Sequence, residues 1–66
     1  MSAEMKFFIY LLENYASSKG VRSDIVYKTW KEAGLVDYIY EMYFQYHQER
    51  LENAYEDIDE KLLMAF

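Results

Sequence analysis

Cysteine is absent from the chain, so neither a disulfide framework nor a thiolate metal site is open to it. For a domain this small, oligomerisation is the stabilising device that remains. Proline is absent too, as suits helices joined by short turns. Gly20 and Gly34 are the only glycines, which rules out a glycine-rich phosphate loop. The one uninterrupted apolar run near the start, Phe7 to Leu12, is flanked by Lys6 and Glu13. It is too short for a secretory signal or a membrane span, and the expectation is a cytoplasmic protein. Positive charge is scarce: 7 basic side chains face 12 acidic ones, a formal charge of −5. Such a balance favours solubility and disfavours non-specific attraction to phosphate backbones or anionic lipid.

What the chain has in quantity is aromatic surface. Eight Tyr, four Phe and one Trp bring the aromatic share to 20% within a hydrophobic share of 53%, far from the composition of a disordered segment. Sixty-six residues form one domain, residues 1–66, whose core is thin because a chain of this length buries only about 60% of its unfolded surface. Charge is unevenly spread. Lys19 to Lys31 holds Lys19, Arg22, Lys28 and Lys31 against Asp24 alone, whereas Glu49 to Lys61 holds six acidic residues against Arg50 and Lys61.

Periodicity and punctuation predict an all-α fold, a small bundle of three to four helices with short turns. Ser2 caps a first helix whose stripe is Met5, Phe8, Ile9, Leu12, Tyr15 and Ala16, with Lys19 and Gly20 ending it. Ser23 is the expected cap of a second helix burying Val26, Trp30 and Ala33, closed by Gly34. The stretch from Gly34 to His47 crowds four tyrosines into nine residues and reads as the hydrophobic axle of the domain. Its helix starts near Val36 and turns Ile39, Tyr43, Tyr46 and His47 inward. No break signal fixes its end, which falls between His47 and about Glu52. Asn53 and Glu56 form a capping-box pattern for a last helix from Ala54 or Tyr55, which buries Tyr55, Ile58, Leu62, Ala65 and Phe66. Phe7, Tyr10, Tyr38, Leu63 and Met64 stand off these stripes.

Catalytic chemistry finds little footing in these residues. His47, the single histidine, has Tyr43, Phe44, Arg50 and Leu51 at the helical ligand spacings, so it reads as a packed, hydrogen-bonded structural residue and not as a ligand. Glu56, Asp57, Asp59 and Glu60 crowd one surface helix and read as a solvated face. Ser2, Ser17, Ser18 and Ser23 sit at helix ends, where capping explains them. The expectation is a non-enzyme with no catalytic residue, metal or cofactor. The second helix, the Gly34 turn and the third helix trace a helix-turn-helix outline. A reading helix presents Arg, Lys, Asn or Gln to the groove, and here Asp37, Tyr38 and Glu41 take those places.

The words Phe7-Phe8-Ile9-Tyr10-Leu11-Leu12-Glu13-Asn14-Tyr15-Ala16, Gly34-Leu35-Val36-Asp37-Tyr38-Ile39 with Tyr43, and Glu56-Asp57-Ile58-Asp59-Glu60 resemble a family of short bacterial all-helical proteins of unknown function. These are often encoded beside ADP-ribosyltransferase-like toxin proteins. The resemblance implies an antitoxin-like or accessory role. His47 matches a position where the family carries histidine followed by a small hydroxyl residue and a turn, whereas Gln48-Glu49-Arg50 follows here. It implies no functional residue.

These readings converge on a protein-interaction module, a homodimer or hetero-oligomer with a protein partner, since aromatic residues and Met are enriched at interface cores. The off-stripe residues Phe7, Tyr10, Tyr38, Leu63 and Met64 are its candidate interface. Two alternatives are carried: a helix-turn-helix-derived regulator using Lys19, Arg22, Lys28 and Lys31 on phosphates, and a pH switch centred on His47.

Overall fold

A short hydroxyl side chain ahead of an apolar run starts the first helix. Ser2 lies in extended backbone and its Oγ accepts the Met5 amide at 3.1 Å, which satisfies one of the free donors at the helix start. The computed structural model describes residues 1–66, and in it this helix, α1, spans Ala3–Lys19. Gly20 ends it with φ 67°, turning its N–H back on the carbonyls of Ala16 and Ser17. Four further helices follow: α2 Ser23–Glu32, α3 Val36–Glu41, α4 Tyr43–Gln48 and α5 Leu51–Ala65.

The bundle is all-α, with five helices where three to four were expected. The extra break is at Met42, whose backbone (φ −85°, ψ 6°) shares its N–H between the carbonyls of Tyr38 and Ile39. Neither glycine nor proline marks it. The joint lets α3 stack Tyr40 on Phe8 (ring centroids 4.7 Å) while α4 sets Tyr43 edge-on to Phe7 (5.6 Å). The boundary after His47 resolves at Glu49 and Arg50, both extended. The expected capping box at Asn53 is therefore replaced: Asn53 lies inside α5, and its amide nitrogen donates to the Arg50 carbonyl. Ser23 likewise is the first helical residue of α2, with Arg22 at the cap position.

α1 packs against α2, α3 and α4, and α4 in turn packs against α5. The organising element is thus α1, which buries Phe8, Leu11, Tyr15 and Ala16, and not the Gly34–His47 stretch, which buries Leu35, Ile39 and Tyr46. Val26, Trp30, Ala54 and Ile58 complete eleven buried residues, none charged. Trp30 is wholly enclosed, with Phe8 and Tyr15 edge-on at 5.9 and 5.2 Å. Met5 and Ile9, placed inward by periodicity, are 42% exposed, because the partners of α1 reach round to its Phe7 side. His47, Ala65 and Phe66 also lie outside the core. The exposed surface is 4514 Å², close to the roughly 4,450 Å² typical of a folded chain of this mass.

Candidate functional site

Two aspartates of α5 gather the tyrosine hydroxyls of the rest of the fold. Asp57 Oδ2 accepts from Tyr38 Oη of α3 at 2.6 Å and from Tyr46 Oη of α4 at 2.5 Å. Its Oδ1 accepts from Lys61 Nζ, one turn along α5, at 3.1 Å. Asp59 accepts from Tyr15 Oη of α1 and from Lys19 Nζ, both at 2.6 Å. Burial by itself raises the Asp57 carboxyl, but the Tyr38, Tyr46 and Lys61 donors outweigh it and hold the group below the usual carboxylate range. Lys61 is raised, first by its hydrogen bond to Asp57 and then by Tyr38. Burial, followed by the hydrogen bond to Asp57, pushes Tyr46 far above the ordinary phenol value. Tyr15 is raised in the same way by burial and then by Asp59. Charge-assisted bonds of this length are the strong class, so the two nodes tie α1, α3 and α4 to α5. The expected solvated acidic face is corrected here: Asp57 and Asp59 are half-buried, and only Glu56 and Glu60 are fully in solvent.

Beside the Asp59 node runs an apolar groove between α2 and α5. Buried Tyr15, Val26 and Trp30 floor it, and Ile25, Thr29 and Leu62 line its sides. Its volume is about 170 Å³, below the roughly 300–1,000 Å³ of small-molecule sites. Leu62 also belongs to a second, more open hollow of about 470 Å³ with Asp59, Leu63 and Phe66, and the two adjoin at that side chain. The Trp30 indole N–H beneath it is buried and has no hydrogen-bond partner, though it pulls weakly on the Tyr15 hydroxyl.

The five candidate interface residues divide. Leu63 and Met64 are 82% and 81% exposed on α5, and Tyr10 is exposed on α1. Phe7 and Tyr38 are taken up inside the fold, the first against Tyr43, the second under Lys61, whose Nζ lies 5.2 Å from its ring, and on Asp57. Sequence reasoning missed Val21, Ile25 and Phe66 as exposed apolar surface. His47 is exposed, its ring stacked on Tyr43 at 4.4 Å and its Nδ1 2.7 Å from the Tyr43 carbonyl oxygen, with Phe7 of α1 edge-on to it at 6.3 Å. No group of three His, Cys, Asp or Glu side chains is placed to hold a metal ion. No helix is long and apolar enough to cross a membrane.

No curated protein and no solved structure matches the chain. Residues 6–62 match the family described as "Protein of unknown function (DUF3791)", and the chain belongs to that family.

Proposed function

We propose that this protein is a non-enzymatic interaction module that binds a protein partner through the apolar tract on α5 and the groove beside it. One observation carries the reading. Leu63 and Phe66 are each more than three-quarters exposed at the same helix end and line one hollow with Leu62, which also lines the groove. Single exposed apolar residues are ordinary; a contiguous set is the mark of a binding face. In its finer form, which rests on the sequence resemblance, the module is an antitoxin-like or accessory partner of an ADP-ribosyltransferase-like toxin protein. The helix-turn-helix alternative draws on Lys28 and Lys31, which form no ion pair. Against it, α3 is six residues long and carries Asp37 and Glu41 in solvent.

The test is a pull-down from extract of the source organism, comparing the wild-type chain with Leu63→Asp. The expected result is a stoichiometric protein that the wild type retains and the variant loses, with equal helical circular dichroism for both baits. Recovery of nucleic acid that elutes steeply with salt, and of no protein, would replace this reading with the regulator.

A further inference from the structure

We draw no further inference here: the strongest candidate, the apolar groove between α2 and α5 with the hollow that adjoins it at Leu62, carries nothing beyond the interaction face already proposed, because nothing in the structure shows what covers it.

Discussion

Asp57 is the residue on which most of the polar structure depends. It receives a hydroxyl from α3, another from α4, and an ammonium from its own helix. Hydrogen bonds to a charged group contribute about 1.5–3 kcal/mol each, and leaving a buried hydroxyl unpaired costs about 1–3. Asp57→Ala strands the hydroxyl of Tyr46, a residue only 2% exposed. The expected loss is about 2–3 kcal/mol, read from urea unfolding at neutral pH. A loss under about 0.5 kcal/mol would mean that water replaces the carboxylate. The same group sets the acid limb. Its folded pKa is lowered from the ordinary 3.8, so the unfolded chain takes up a proton first. The stability it supplies is complete above that value and disappears as pH falls through the depressed folded one. Unfolding free energy measured from pH 5 downward therefore falls in the wild type, and falls less steeply in Asp57→Asn.

Among the elements, the helix stops are local and the helix joint is not. Gly20 and Gly34 have φ 67° and 73°, and a Cβ at either would meet no atom within 4 Å. Alanine there carries backbone strain alone, about 1–2 kcal/mol. Thermal midpoints followed by circular dichroism should fall by roughly 4–8 °C per kcal/mol for a chain of this size, by similar amounts for Gly20→Ala and Gly34→Ala. At the start of α1, Ser2→Ala removes the single side-chain cap, worth about 1 kcal/mol, and amide exchange should quicken at Met5 with little change in α5. The break at Met42 has no such local signature. It exists because Tyr40 and Tyr46 have partners on different elements, Phe8 of α1 and Asp57 of α5.

For the molecule as a whole, the alkaline limb reports how much tyrosine the fold encloses. Tyr15 and Tyr46 have folded pKa values raised above 10.0, first by burial and then by their aspartates, and Lys61 is raised above 10.5. The sign is the reverse of the acid case: these groups keep their protons longer when folded. Their contribution is complete below the unfolded values and is lost as pH rises beyond about 10. The urea midpoint should be level between pH 7 and 9 and drop by pH 11, less so in Tyr46→Phe. Trp30→Ala, at the centre of the core, costs about 3–5 kcal/mol. A chain of 66 residues has about 3–10 kcal/mol in total, so that variant should be largely unfolded at 37 °C by near-ultraviolet circular dichroism.

The sequence by itself determined the all-α class, the cap at Ser2, the stops at Gly20 and Gly34, and the buried face of Val26 and Trp30. Each of these is fixed by a residue and its neighbours within a turn or two, through backbone freedom, a capping oxygen or helical spacing. It also picked out the apolar residues that stand off the stripes, of which Tyr10, Leu63 and Met64 stayed in solvent. Tertiary structure alone decided the rest. Phe7 and Tyr38 left the candidate surface because α4 and α5 came to meet them, and the stripe of α1 turned toward Phe7 and away from Met5 and Ile9 for the same reason. Asp57 and Asp59 passed from an expected solvated face to the centre of two hydrogen-bond nodes. Eight tyrosines in an acidic chain were the available signal, since a buried phenol seeks an acceptor, but which carboxylate it finds depends on residues as much as 44 positions apart in the chain. A helical wheel carries no information at that separation; the packing of α2, α3 and α4 on α1, and of α5 on α4, supplies it.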